Sequence, residues 1–200
     1  MTRNDVDILC LPGWACERVV DRWFGLPVTM LPHSIQAAAL LSAEADHSWL
    51  PQGPWALVTW SQGTWCGLLL SKIWNRNPPR SWIALCPFLR LVDEELPTPT
   101  SRSAHRVLYK SFQHKPAETL DFFMNQHKAV LPWYEGPMDY GLMARTLELL
   151  GGDPPPHSGL IEVPLLAVLG DADPLVSAPM VSEFRKIFRH SRLEIASGLG

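Results

Sequence analysis

The run Trp55-Ala56-Leu57-Val58-Thr59-Trp60 is apolar, aromatic and β-branched, and it breaks at Ser61 into a second apolar stretch, Gly63 to Trp74. The first part has the make-up of a buried strand and the second of a helix buried on nearly all sides. Ser61 therefore falls on a strand-to-helix turn. A turn of this kind holds a serine in strained backbone with its hydroxyl exposed at the carboxyl edge of a sheet, and Gly63 leaves room for the chain to close behind it. This is the geometry of a nucleophile elbow, whose usual signature is G-x-S-x-G. Here Thr59 stands where the first glycine would be.

The flanking chain alternates. Val6 to Leu11 reads as a strand ending in the turn Pro12-Gly13-Trp14-Ala15, Glu17 to Trp23 as a short helix, and Val28 to Leu31 as a strand stopped by Pro32. Ser34 is placed to cap a helix from Ile35 to Ala45, and beyond the elbow helix Ser81 to Leu85 forms the next strand. Such alternation predicts an α/β protein with a mostly parallel sheet and helices on both faces. From Asp93 to about Ser158 no strand pattern occurs, only helical segments at Ser101 to Phe112, Ala117 to Val130 and Tyr140 to Leu150. The sheet pattern resumes with Pro164 to Leu169, then Gly170-Asp171-Ala172-Asp173-Pro174, a helix from Ala178 to Phe188 and a last strand from Arg192 to Ala196. The expected organisation is one domain over 1–200, with a core of 1–92 and 159–200 and a helical lid insertion at about 93–158.

The 200 residues suffice for one substantial core, and 46% hydrophobic residues with 9 Trp suit a compact domain with an aromatic-lined pocket. A net charge of −3 without a long basic run gives no reason to expect nucleic acid. Cys10, Cys16, Cys66 and Cys86 lack the paired spacing of a zinc site and read as buried thiols, so neither metal nor cofactor is expected. No signal peptide pattern precedes Asp5 and no apolar run reaches about 18 residues. A cytoplasmic monomer that does not engage membranes is the expectation.

A serine elbow at one strand end, an acid at a later one and a helical insertion between them suit acyl transfer. Ser61 needs a base, the base needs an acid to hold its tautomer, and the developing oxyanion needs backbone N–H donors about 3 Å away. The N–H groups of Gln62, after the serine, and of Trp14, after the first strand, are the natural donors. Asp173, Asp171 and, more weakly, Asp93 are the candidates for the acid. None of the histidines (His33, His47, His105, His114, His127, His157, His190) is assigned as the base, because a base must come within hydrogen-bond reach of the hydroxyl.

Three stretches, Leu11-Pro12-Gly13-Trp14, Trp60-Ser61-Gln62-Gly63 with Trp65, and Gly170-Asp171-Ala172-Asp173-Pro174-Leu175-Val176, resemble the α/β-hydrolases. More narrowly they resemble the pimeloyl-acyl-carrier-protein methyl ester esterases of biotin synthesis. The resemblance implies a serine carboxylesterase with Ser61 as nucleophile and Asp173 as acid, acting on an acyl-carrier-protein-bound or small acyl ester. A thioesterase, a generic short-chain esterase and a non-catalytic binding remnant are the alternatives. In that family a histidine follows the last strand, whereas this chain reads Ala196-Ser197-Gly198-Leu199-Gly200, so truncation or natural shortening is expected and the triad is incomplete as it stands.

In the insertion, Arg102, Arg106 and Lys110 recur every four residues and share one helical face, with Val107, Leu108 and Phe112 on another. The resemblance implies that Arg102 and Arg106 dock an acidic acyl carrier protein. Leu120, Phe122, Phe123 and Met124 could wall an acyl groove, and Trp14 and Trp65 either meet the acyl chain or fill the core.

Overall fold

A computed structural model describes residues 6–14, 28–30, 48–74, 77–87, 89, 102–126, 139–152, 161–173 and 178–198. The expected helices at Glu17 to Trp23 and Ile35 to Ala45, as well as Asp93, lie outside these residues. Among the described residues six strands form one sheet: β1 (Asp7–Leu11), β2 (Thr29–Met30), β3 (Trp55–Trp60), β4 (Trp82–Leu85), β5 (Leu165–Gly170) and β6 (Ser191–Ala196). Every pairing is parallel and the spatial order is β2-β1-β3-β4-β5-β6. The described helices are α1 (Gln62–Leu70), α2 (Arg102–His114), α3 (Pro116–Gln126), α4 (Tyr140–Leu150) and α5 (Ala178–Ile187).

Alternating strand residues supply two apolar faces, as a parallel sheet requires. On one face Leu9, Leu11, Trp55, Leu57, Trp82, Ala84, Leu165 and Ala167 join Trp65, Leu68 and Leu70 of α1 and Phe184 and Ile187 of α5. Cys10 and Val58 are buried on the other, against Ile8, Trp60 and Ile83. A chain of edge-to-face rings runs through the larger core: Trp55 to Trp74 at 5.8 Å, Trp74 to Trp82 at 5.6 Å and Trp82 to Phe188 at 5.1 Å. Each such pair adds about 0.5–1.5 kcal/mol beyond simple burial. Much of the tryptophan content therefore serves the core.

The helix after Ser61 stops earlier than its apolar pattern predicts. α1 ends at Leu70, where the Ser71 hydroxyl donates to the Leu68 carbonyl at 2.6 Å and Lys72 and Ile73 switch to tighter bonds with Leu69 and Leu70. A seryl side chain that bonds the preceding turn competes with helix continuation. Trp74 still reaches the core from the turn that follows.

The segment between β4 and β5 contributes α2, α3 and α4 and no described strand. Its own cluster gathers Phe112, Leu120, Met143 and Leu147 around Trp14, which follows β1. The expected shared apolar face of Val107, Leu108 and Phe112 is divided: Phe112 is buried, Leu108 half-buried, and Val107 is 68% exposed. The spacing of α2 explains this, since Phe112 lies about 140° around the helix from Val107. In α3, Leu120 is buried but Phe122 faces outward at 62% exposure. No described helix is long and apolar enough to cross a membrane.

Candidate active site

Sheet topology selects the site. The chain leaves β1 toward β2 on one side and returns with β3 on the other, so the order reverses between β1 and β3. In open parallel sheets the crevice beyond the carboxyl ends at such a reversal is where ligands bind. The register Leu11↔Thr59 brings the turn after β1 beside the turn after β3. Gly13 lies so close to Ser61 that a Cβ on it would stand 3.3 Å from the serine Cβ.

Ser61 has φ 52° and ψ −116°, is half-buried, and directly precedes α1. That backbone is unfavourable for a residue with a Cβ and persists only where its surroundings enforce it. They do so from three sides. Ser61 donates its N–H to the Leu85 carbonyl at 3.0 Å, and its own carbonyl accepts the Thr64 N–H at 3.0 Å. At Gly63 any Cβ would collide with the Leu11 carbonyl, so glycine lets the elbow pack on β1. The strained serine and the space at Gly63 both follow the sequence expectation.

Thr59, in place of the motif's first glycine, is fully buried and hydrogen-bonded. Its hydroxyl lies 3.0 Å from the Thr64 hydroxyl and accepts the Trp82 indole N–H at 2.8 Å. Gly67 makes the space, since a Cβ there would run into the Trp82 ring and lie 3.4 Å from the Thr59 methyl. Sequence reasoning missed this network; the paired threonines flanking the serine were its one visible signal.

The Gln62 backbone opens α1, whose first-turn N–H groups and dipole favour negative charge. Its side chain is fully buried, and among the described residues neither Nε2 nor Oε1 has a hydrogen-bond partner. Buried carboxamides are rarely left so. Trp14 sends its indole away from the sheet, donating to the Met143 carbonyl at 3.2 Å and meeting the Phe112 and Phe123 rings edge-on at 5.2 and 5.3 Å. It thus ties the turn beside Ser61 to the helical segment. Trp65 lies in the main core with its N–H on the Leu89 carbonyl.

Asp173 is half-buried just past β5, and its N–H donates to the Gly170 carbonyl at 3.3 Å. Cys86 lies just past β4, the neighbour of β5, so its thiol and the Asp173 carboxylate share one part of the sheet's carboxyl edge. Burial pushes that thiol up from its ordinary value, and the charge and hydrogen bond of Asp173 push it further. Asp171 is engaged elsewhere: its Oδ1 accepts the Gly198 N–H at 2.7 Å and so ties the turn after β6 to the turn after β5. Of the described cysteines, Cys10 and Cys66 are buried as expected, with burial holding the Cys66 thiol at about 12, and Cys86 is only half-buried; Cys16 lies outside the described residues.

The described histidines have other duties. His105 contacts the Leu147 carbonyl through Nε2 at 2.8 Å, His114 is exposed in the last turn of α2, and His190 faces Glu162 at 3.4 Å at the amino end of β6, opposite the site. His33, His47, His127 and His157 lie outside the described residues. Arg102, Arg106 and Lys110 are all exposed along α2. Among the described residues no group of His, Cys, Asp and Glu could hold a metal ion.

No family model and no curated relative matches the chain. Solved structures do. An esterase from Exiguobacterium antarcticum is 13% identical, with a TM-score of 0.66 over 96% of this chain and 83% of that one. YbtT, a type II thioesterase of the yersiniabactin pathway, is 16% identical, with a TM-score of 0.58 over 99% and 86%. A thermophilic esterase from Thermogutta terrifontis is 13% identical, with a TM-score of 0.62 over 96% and 81%. With its parallel sheet, its strained serine after β3 and these structural neighbours, the chain has the α/β-hydrolase fold.

Proposed function

We propose that this chain is a serine hydrolase that cleaves acyl esters or thioesters, with Ser61 as nucleophile. The observation that carries this is the backbone of Ser61, strained at φ 52°, between the sheet's topological switch and the head of a buried helix. In the proposed reaction Ser61 Oγ bonds to the acyl carbon while a general base takes its proton. The carbonyl oxygen becomes an oxyanion facing the N–H groups of Gln62 and Trp14. Collapse breaks the bond to the alcohol or thiol, which leaves with the proton, and water then releases the acid from Ser61. Asp173 orients the base. Each oxyanion donor is worth a factor of about 10² to 10³ in rate.

The structural neighbours include both esterases and type II thioesterases, and the two reactions share every step up to the leaving group. The motif resemblance favours the methyl ester of a pimeloyl chain on acyl carrier protein, with this chain acting in biotin synthesis. In this reading α2 is the docking strip. It carries Arg102, Arg106 and Lys110 and no acidic residue, and α2 and α3 frame a groove of about 610 Å³ whose apolar floor of Ala104, Val107, Leu108 and Phe122 is edged by Lys115 and Glu118. Basic side chains beside an exposed apolar groove suit an acidic helical partner carrying an acyl group. Turnover of pimeloyl methyl ester against a pimeloyl thioester, with Ser61→Ala as control, tests the reading. Faster ester cleavage lost in the variant supports the esterase, faster thioester cleavage the thioesterase, and turnover unchanged in the variant contradicts both.

A further inference from the structure

Among the described residues two that are not glycine have positive φ, Ser61 at 52° and Cys86 at 42°. They are neighbours. β3 and β4 pair through Trp60↔Leu85, so each residue is the first beyond its strand, and the Ser61 N–H donates to Leu85, the residue just before Cys86. Cys86 in turn donates its N–H to the Val168 carbonyl of β5 at 2.8 Å. Pro87 follows, and a residue before proline is biased to extended backbone. Cys86 departs from that bias. Left-handed backbone outside glycine concentrates where a side chain must be aimed, and here the aimed thiol meets the Asp173 carboxylate.

We propose that Cys86 is a positioning residue, whose thiol donates a hydrogen bond to Asp173 and holds that acid at the carboxyl edge of the sheet that also carries Ser61. The proposal rests on the serine-hydrolase reading for its purpose, though not for its geometry. Ser61, Cys86 and Asp173 then form one row across the carboxyl ends of β3, β4 and β5. Asp173 is the charged group that acts on the thiol, and burial and that carboxylate together keep the thiol protonated, hence a donor, at neutral pH. A carboxylate so held has fewer orientations open to it.

Alkylation of Cys86 by iodoacetamide, followed across pH by peptide mass in the wild type and in Asp173→Asn, tests the contact. Cys10 and Cys66, both buried, are internal references. The proposal expects Asp173→Asn to move the Cys86 profile to lower pH, with alkylation near pH 8 faster by about threefold or more. Superimposable profiles would overturn it. For the positioning role, phosphonylation of Ser61 by a fluorophosphonate is timed in Cys86→Ser, which keeps an O–H donor, and in Cys86→Ala, which has none. The serine variant should stay within about threefold of wild type and the alanine variant fall about tenfold; equal rates in the two would overturn the role. If Ser61 is inert even in the wild type, the alkylation profiles still decide whether the contact exists. Failure of the hydrolase reading is thereby separated from failure of this one.

Discussion

The hydroxyls of Thr59 and Thr64 lie 3.0 Å apart and flank Ser61, one near the end of β3 and the other in the first turn of α1. With the Trp82 N–H on Thr59 they form a buried polar brace for the elbow. Thr59→Val keeps the shape but strips the Trp82 and Thr64 groups of their partner, at a cost of about 1–3 kcal/mol. Thr59→Ser keeps the hydroxyl and should lose less. Urea unfolding of the two variants checks the order, and equal losses would show that the methyl, rather than the brace, carries the effect.

Gly63→Ala should be far more damaging than its size suggests, because the new methyl meets the Leu11 backbone, which has no flexible end to give way. A loss of about 3 kcal/mol or more, or failure to fold, is expected. Gly53→Ala is the matched control, since a Cβ there meets nothing within 4 Å. That change should be neutral or stabilising by less than about 1 kcal/mol. Thermal melts by circular dichroism rank the pair.

The Gln62 side chain is fully buried with no hydrogen-bond partner among the described residues, whereas its proposed role belongs to its backbone N–H. Gln62→Met retains the N–H, fills similar volume and removes the unsatisfied amide. Stability should rise by about 1 kcal/mol, with Ser61 phosphonylation unchanged within a few-fold. Loss of labelling in a well-folded variant would place the carboxamide itself in the chemistry.

How far the sequence could lead is clear from these residues. Ser61 and Gly63 were legible because one short stretch holds both the change of period and the turn. Thr59 was not: its partner Trp82 lies 23 residues further on, and only the fold brings the two together. The same holds for Cys86 and Asp173, which meet because β4 and β5 are neighbours. On α2 the basic face was read correctly, but the apolar face splits into a buried side at Phe112 and an exposed side at Val107, which periodicity alone does not divide. Strand positions held to within a residue or two, while α1 ended early because Ser71 bonds back into its own turn.

Alkaline pH should expose the buried thiol of Cys66. Burial raises its folded value from 9.0 to about 12, so the folded state keeps a proton that the unfolded chain releases. Stability from this group is complete below about pH 9 and is lost as pH rises toward 12, at up to about 1.4 kcal/mol per pH unit. Urea midpoints measured at pH 8 and pH 10.5 should fall in the wild type and fall less in Cys66→Ala. Equal falls would assign the loss to other groups.

Docking by α2 makes a prediction about salt. Binding of an acidic carrier protein should weaken in Arg102→Glu with Arg106→Glu by about tenfold or more at low ionic strength, and the difference should shrink as salt screens the exposed charges. Calorimetric titration at two salt concentrations checks it. Binding unaffected by the charge reversal at low salt would remove α2 as the docking strip.

Intact mass after fluorophosphonate treatment tests most directly whether Ser61 is an activated nucleophile. One phosphonyl adduct on the folded wild type, absent from Ser61→Ala, is the predicted result. A folded wild type that gains no adduct, or a Ser61→Ala variant that gains the same one, would contradict it.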